Sequence, residues 1–183
     1  KKFGVKVLID EAYYEFSNYN CLNKIKKYNN LIVIRTFSKI FGIAGLRCGY
    51  VVSNKVLIKE YIAIKPMYEI NSIAVKALEL LLSNKKIIDS YLKELRDGEK
   101  SAQEFCKKNN FKFIKCHANF FHVSFDYNPK ILQNYLEKKN ILIKGGPGIK
   151  EFKNYLRFSF ANKRTTLKTL KIIKSFLDKK IDE

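Results

Sequence analysis

Three short runs rich in valine and isoleucine are the feature that most constrains the fold of this chain. They span residues 5–9, 31–36 and 48–52. Nearly continuous apolar runs of this length are typical of strands covered on both faces of an α/β sheet. In such sheets, ligand-binding groups gather just beyond the carboxyl ends of the strands. Asp10 and residues 36–39 stand at the ends of two of the runs, so we expect them to lie at such an edge.

The rest of the sequence predicts helices followed by a small α+β unit. Apolar residues recur at helical spacing in residues 56–64, from about residue 72, and in residues 87–108. Pro129 is expected to open a later helix, and the last segment is amphipathic. Strands are predicted for residues 111–114, 119–125, 141–143 and 155–160. The sequence therefore predicts two domains, an α/β part (1–83) and a smaller α+β part (84–183).

The formal net charge of +19 suggests a polyanionic partner at first sight. The positive residues are nearly all lysines, however, and they accompany abundant asparagine and isoleucine in most segments. A coding sequence rich in A and T produces this bias and spreads lysine over any solvated surface. We favour this explanation over a nucleic-acid-binding module, because such a module would show basic residues clustered on one face.

The cysteines and histidines form no recognisable metal or redox motif. The four cysteines are far apart, so neither zinc-knuckle nor CxxC spacing is present. Free thiols in a reducing cytoplasm are the expected state. No apolar run reaches the roughly 18 residues that a bilayer-spanning helix needs, and no signal peptide is visible. We therefore expect a cytoplasmic protein with no membrane partner.

Asp10 and Tyr13 are the first candidate site residues. A carboxylate at a strand end can hydrogen-bond the protonated nitrogen of a pyridine-type cofactor. A tyrosine three residues later can donate to an oxygen of the same ring. An aspartate that begins a turn or caps a helix gives the same local pattern and, taken alone, is the commoner case. The pair gains weight only in combination with other residues.

Lys39 differs from the other lysines because it follows an apolar strand and precedes Ile40 and Phe41. A lysine that reacts with a cofactor aldehyde must lose its proton near neutral pH, and burial favours that loss. Ser38 and Arg47 flank a stretch that contains the small residues Gly42, Ala44 and Gly45, and a hydroxyl and a guanidinium can together bind a phosphate. The stretch matches neither the phosphate-binding loop of nucleotide-hydrolysing enzymes nor the dinucleotide fingerprint.

Taken together, these residues resemble the cofactor signature of the fold-type I aminotransferases, and most closely that of the histidinol-phosphate aminotransferase family. The specific part is the Asp-Glu-Ala-Tyr motif at residues 10–13 with the block at residues 35–50, which contains Ser-Lys and Gly-Leu-Arg. Weaker matches follow in the same order: Tyr68 with Asn71, Ala-Asn-Phe at 118–120, and Leu-Arg-Phe-Ser at 156–159. The resemblance covers about residues 7–177, nearly the whole chain.

The resemblance implies the C-terminal part of a large α/β/α domain that binds pyridoxal 5′-phosphate (PLP), followed by a small α+β domain. Lys39 would bind the cofactor aldehyde and carry a proton between the substrate α-carbon and the cofactor C4′. Asp10 would pair with the pyridine nitrogen, and Tyr13 would hydrogen-bond the ring oxygen. The residues implied for the cofactor phosphate are Ser38, Arg47 and, less directly, Thr36.

The resemblance also implies substrate residues and partners. Arg157 would bind the carboxylate of the amino donor, because a guanidinium matches a carboxylate in two parallel hydrogen bonds; a surface arginine at a strand end is the alternative. Asn119 and Lys144 are the other candidates. Lys144 stands where the family commonly places an arginine on the substrate phosphate, so the charge is kept and the forked geometry is lost. The implied substrates are L-histidinol phosphate and 2-oxoglutarate, and the implied assembly is a homodimer.

In that family a front half supplies a phosphate-binding loop and an aromatic ring stacked on the cofactor. We therefore expect an upstream portion to be missing, and we expect this chain alone to bind PLP poorly. An aromatic amino-acid aminotransferase and a threonine-phosphate decarboxylase are alternatives of the same fold. A basic nucleic-acid-binding module and an inactive fragment or scaffold are alternatives of another class.

Overall fold

The computed structural model describes residues 4–17, 19–146 and 148–181. The chain forms two compact units, Lys1–Asp89 and Ser90–Glu183. The division falls inside a long helix, α3, which spans Lys85–Lys108.

The first unit is built on a three-stranded sheet with the order β1-β2-β3. Strand β1 spans Val7–Asp10, β2 spans Leu31–Thr36 and β3 spans Gly49–Val52. Strands β1 and β2 are parallel, and β3 is antiparallel to β2. Residues alternate between buried and half-buried along β2, which is the central strand. This strand therefore fixes where the side chains of its neighbours lie.

Coverage on both faces was the wrong expectation for β1. Val7 and Leu8 are 42% and 58% exposed. Because successive side chains of a strand point to opposite faces, the described chain covers neither face at the start of β1, which pairs with β2 alone among the described strands.

Two helices complete the first unit, and an asparagine caps each of them. Helix α1 spans Lys55–Ile64, and the Asn54 side chain accepts hydrogen bonds from two backbone amides of its first turn. Helix α2 spans Ser72–Ser83, and Asn71 caps it in the same way through one amide. Such caps satisfy backbone donors that the helix itself cannot satisfy. The asparagines thus set where the helices start.

The second unit packs helices against an antiparallel sheet with the order β4-β5-β6. Its strands are β4 (Lys112–Lys115), β5 (Phe120–Ser124) and β6 (Leu156–Ser159). Helix α4 spans Pro129–Glu137 and α5 spans Lys163–Ile181, so the prediction that Pro129 opens a helix is confirmed. Phe121 and Phe158 stack with ring centroids 5.4 Å apart at the centre of the core. Leu170 and Ile173 of α5 are fully buried in the same cluster.

The strand predicted for residues 141–143 is wrong. Residues 141–143 lie in no described strand: the β-bridge is made by the next residue, Lys144, with Arg157, and Leu142 is 83% exposed. The Gln133 side chain donates a 2.9 Å hydrogen bond to the carbonyl of Ile143. A side chain of α4 therefore satisfies a backbone group that strand pairing would otherwise satisfy.

Candidate functional site

The predicted residues of the first unit lie at one edge of its sheet. The parallel register pairs Asp10 with Ile34, so β1 and β2 end at the same side. Strand β3 runs the other way, and its first residue, Gly49, pairs with Thr36. The turn that carries Lys39 leaves β2 at this edge, and the segment with Arg47 enters β3 there. The topology thus brings together residues that are up to 37 positions apart in the sequence.

Lys39 is half-buried in the turn that follows β2. Ile40 beside it is 1% exposed and anchors the turn. Gly42 has a φ of +69°, a left-handed conformation that suits glycine, and its amide donates to the Lys39 carbonyl. The Lys39 ammonium lies 5.0 Å from the centroid of the Tyr13 ring. Within the described ranges it makes no ion pair with a carboxylate.

Asp10 begins a turn, as the alternative interpretation of this residue proposed. One carboxylate oxygen accepts a 2.9 Å hydrogen bond from the amide of Ala12. The other oxygen makes no hydrogen bond to any residue that the structure describes. The turn therefore holds the carboxylate in place and leaves one oxygen available to a ligand. The observed geometry therefore allows Asp10 both to begin a turn and to bind a ligand.

Thr36 and Ser38 differ in what their hydroxyls do. The Thr36 hydroxyl donates to the Cys48 carbonyl at 3.3 Å and accepts from the Ser38 amide at 3.0 Å. It therefore shapes the turn by joining it to the start of β3. The Ser38 hydroxyl has no hydrogen bond to the described part of the chain, so of the two it is the group available to a phosphate.

Arg47 adopts an unusual backbone conformation. Its φ of 55° and ψ of 43° lie in the left-handed region, which costs a residue with a side chain roughly 1–2 kcal/mol. One guanidinium nitrogen donates to the Ala44 carbonyl at 2.9 Å, and the residue is exposed. Backbone strain of this kind is often found at binding sites. The structure thus places a permanent cation at the sheet edge, with most of its donors open to solvent.

A buried ion pair lies beneath this edge, and sequence reasoning missed it. Glu11 accepts hydrogen bonds from two nitrogens of Arg35, at 2.9 and 2.7 Å. The Tyr14 ring lies 3.4 Å from the guanidinium carbon, and Asn20 accepts a further bond at 3.0 Å. Burial disfavours the charge, but hydrogen bonds to Tyr50 and to the Glu11 carboxylate leave the pKa of Arg35 above its ordinary value.

This network fixes the loop that carries Asp10 and Tyr13. Glu11 also accepts the backbone amide of Cys21 at 2.6 Å, so it closes the loop between β1 and the next segment. The sequence contained a usable signal: an acid beside Asp10 and a base within the apolar run of β2. Opposite charges on neighbouring strands of a buried sheet predict a pair.

In the second unit, Arg157 lies in a row of basic residues on one sheet face. His122 of β5 pairs with Arg157 of β6, and Lys144 bridges to Arg157 from the other side. Like charges at opposed positions destabilise a sheet unless an anion compensates them. The Arg157 guanidinium carbon lies 4.9 Å from the Phe120 ring, and its Nε is buried without a partner among the described residues. This row favours an anionic ligand.

His122 adds little positive charge to this row near neutral pH. Burial and the positive charge of Arg157 lower the pKa of its imidazole below the ordinary value. Its Nδ1 lies 3.4 Å from the Cys116 thiol, and burial together with the Glu99 carboxylate raises the pKa of that thiol. A protonated thiol beside a neutral imidazole leaves Arg157 and Lys144 as the cations of the row.

Asn119 precedes β5, and its backbone carbonyl accepts the Phe160 amide at 2.7 Å. Its side chain makes no hydrogen bond within the described ranges. Arg157 and Lys144 are therefore neighbours, whereas nothing in the geometry joins the Asn119 side chain to them.

The chain matches the family model described as aminotransferase class I and II over residues 1–171. It is 33% identical to histidinol-phosphate aminotransferase 1 of Carboxydothermus hydrogenoformans over 165 residues. The aligned region covers 90% of this chain and 47% of the relative. The chain therefore spans about half the length of the curated relatives it matches.

Solved structures show the same fold. The histidinol-phosphate aminotransferase of Clostridium acetobutylicum aligns with a TM-score of 0.84 and 26% identity, over 95% of this chain and 55% of that one. That of Sinorhizobium meliloti, solved in complex with pyridoxal-5′-phosphate, aligns with a TM-score of 0.78 and 21% identity, over 93% and 49%. No helix in the described ranges is long and apolar enough to cross a membrane. The described residues also contain no group of three or more potential metal ligands.

Proposed function

The chain belongs to the class I and II aminotransferases, and on that basis we propose that it carries the catalytic lysine, Lys39, of a PLP-dependent aminotransferase. The observation that carries the proposal is the position of Lys39. It is half-buried, free of carboxylate partners in the described chain, and placed at the same sheet edge as Asp10 and Ser38. Because Lys39 forms no ion pair with the described residues, its side chain does not have to give up a carboxylate partner before it reacts with an aldehyde.

The groups at the sheet edge fit PLP. The free oxygen of Asp10 would accept a hydrogen bond from the pyridine nitrogen, and Tyr13 would donate to the ring oxygen. Ser38 and Arg47 would bind the phosphate, since a hydroxyl and a guanidinium are both open there. We propose a shaping role for Thr36, because its hydroxyl is already used on both sides. When bound, the cofactor supplies an electron sink for the α-carbon of the donor.

Lys39 is the group that we propose moves the proton. Its Nζ would accept the proton from the donor α-carbon once the amine is neutral. The Tyr13 ring, 5.0 Å from Nζ, limits where the amine can point. The hydrogen bond from the Ala12 amide fixes the orientation of the Asp10 carboxylate, so its other oxygen would face the ring nitrogen.

Arg157 and Lys144 are the proposed anion-binding residues for the substrates. The Nε of Arg157, which has no partner in the described part of the chain, and the neighbouring lysine offer donors that match a carboxylate and a phosphate. Histidinol phosphate carries a phosphate and glutamate carries carboxylates, and the names of the relatives favour this substrate pair. We also propose Asn119 as a substrate-binding residue, on the basis of its position next to the end of β6, where its carbonyl accepts the Phe160 amide.

We propose different binding roles for the two parts of the chain. We propose that residues 1–83 are the C-terminal part of a cofactor-binding domain and that residues 84–183 are a small substrate-binding domain. Because the chain spans about half of its relatives, we propose that the remaining cofactor contacts come from chain outside these residues. We also propose a homodimer. Ile64 and Tyr68, which are 81% and 89% exposed, offer apolar surface that such an assembly could cover.

The test is a half-reaction with the whole protein that contains this chain. The PLP-loaded protein is mixed separately with L-histidinol phosphate, phenylalanine and threonine phosphate, and the loss of visible cofactor absorbance is followed. We expect the fastest loss with histidinol phosphate and none with Lys39→Ala. A Lys59→Ala variant, which removes an exposed lysine of α1, is the matched control and should react normally. A faster reaction with phenylalanine or threonine phosphate would overturn the substrate assignment, and activity of Lys39→Ala would overturn the function.

A further inference from the structure

Helix α5 has an unusual charge balance. It contains seven basic side chains and one acidic side chain in 19 residues. Helix α3 contains seven basic and five acidic side chains in 24 residues. A lysine-rich composition acts on both helices alike, so it does not explain why acidic partners are scarce on α5 alone.

The basic residues of α5 are concentrated along a cleft. Arg164, Lys168 and Lys171 are separated by four and three residues, which places them on one helix face. With Lys139 and Tyr135 they line an open cleft of about 780 Å³. No carboxylate in the described part of the chain forms an ion pair with any of these four cations. Four uncompensated charges around one cleft repel one another unless a ligand brings negative charge.

The basic surface continues beyond this cleft. A neighbouring cleft of about 610 Å³ shares Lys171 and adds Lys174, Lys179 and Lys108. The only acid in its lining, Asp178, is already paired with Lys174. We call the exposed side chains of Lys139, Arg164, Lys168 and Lys171 with this extension the α5 basic face.

The α5 basic face has no exposed apolar side that could insert into a membrane, and this favours one kind of anion over another. Membrane-binding helices present an apolar face that inserts between lipids. In α5 the apolar face, with Leu170 and Ile173, is buried in the core. The exposed side carries long cationic side chains, and the apolar residues of the cleft, Leu167 and Ile172, are half-buried between them and the core. A nucleic acid, by contrast, needs only cations, because its phosphates provide a dense and regular line of negative charge.

We propose that the α5 basic face binds the phosphodiester backbone of a nucleic acid, without reading its sequence. The proposal does not depend on the aminotransferase function, since none of these residues belongs to the groups around Lys39 or Arg157. The bound backbone would follow α5, which is about 28 Å long at 1.5 Å per residue.

The test is fluorescence anisotropy with a labelled DNA duplex of about 20 base pairs, longer than α5, over a range of NaCl concentrations. The variant is Arg164→Gln/Lys168→Gln/Lys171→Gln. We expect its affinity to fall at least about tenfold, and the slope of log K against log salt to fall by about 2–3, at about 0.9 per lost phosphate contact. A single-stranded RNA of the same length should show a smaller slope change, at about 0.7 per contact.

The matched control is Lys59→Gln/Lys100→Gln/Lys130→Gln. It removes the same charge from exposed lysines on three different helices, none of them ion-paired in the described chain. We expect a loss of affinity below about threefold, because these contacts are not clustered. Equal losses in the two variants would overturn the proposal in favour of a purely compositional charge. Absence of binding near physiological salt would overturn it as well, as would tighter binding to anionic lipid vesicles. Circular dichroism checks that both variants remain folded.

Discussion

The buried pair of Glu11 and Arg35 allows a quantitative prediction for the first unit. Both side chains are almost completely buried, at 7% and 6% exposure. The substitution Glu11→Ala removes the two hydrogen bonds that Arg35 donates to this carboxylate, and it also removes the acceptor of the Cys21 amide. A buried guanidinium then remains without its counter-charge.

The expected loss of stability is large. Removing one partner of a buried pair typically costs about 3–5 kcal/mol. Tyr14 and Asn20 still contact the guanidinium, so we expect about 3 kcal/mol. The double variant Glu11→Ala/Arg35→Met removes both charges and should be less destabilised than Glu11→Ala alone. The two substitutions are therefore strongly non-additive, with a coupling of at least about 2 kcal/mol.

Hydrogen exchange followed by mass spectrometry is the appropriate assay. Amides of β1 and β2 report the opening of the first unit separately from that of the second. The control is Glu79→Gln, which breaks an exposed pair with Lys76 in the same unit and should cost no more than about 1 kcal/mol. A cost of Glu11→Ala no larger than that of the control would refute the reasoning, and so would additive effects in the double variant.

Three further outcomes are expected. Gly98→Ala should destabilise the second unit by about 1–3 kcal/mol in urea unfolding, although alanine favours helices, because the added Cβ would lie 1.9 Å from the carbonyl oxygen of Ala161; unchanged stability would contradict this contact. Burial raises the pKa of the Cys106 thiol to about 12, so iodoacetamide near pH 8 should label it only after denaturation, and labelling of the native protein would contradict the burial. The lowered pKa of His122 means that the unfolded chain binds a proton more readily than the folded one. Stability should therefore fall as pH drops from about 7 to about 5, and His122→Gln should reduce this loss in urea unfolding; an equal loss in both proteins would contradict it.

The sequence predicted the elements whose signals are local. The apolar run of β2, the helical spacing of α2 and α3, and Pro129 at the start of α4 all correspond to observed elements. The failure at residues 141–143 has a tertiary cause, since Gln133 satisfies the Ile143 carbonyl and no pattern along the chain announces that contact.

In the candidate site, too, the features with local signals could be predicted and those that depend on tertiary contacts could not. The positions of Asp10, Ser38 and Lys39 at the ends of two apolar runs predicted correctly that they lie at one sheet edge, because parallel strands bring their carboxyl ends together. Which hydroxyl is free could not be predicted, because it depends on whether Thr36 or Ser38 bonds the Cys48 carbonyl. The role of Arg35 was missed for a related reason. Its five contacts come from three separate segments of the chain.

Among the many lysines of this chain, Lys39 is the one that we propose binds the cofactor. This claim is tested most directly by treating the whole protein with PLP, reducing the adduct with borohydride, and mapping the pyridoxyl group by peptide mass spectrometry. We predict a single dominant label at Lys39, which disappears in Lys39→Arg. A label spread over exposed lysines such as Lys59 and Lys130, unchanged by Lys39→Arg, would contradict the claim.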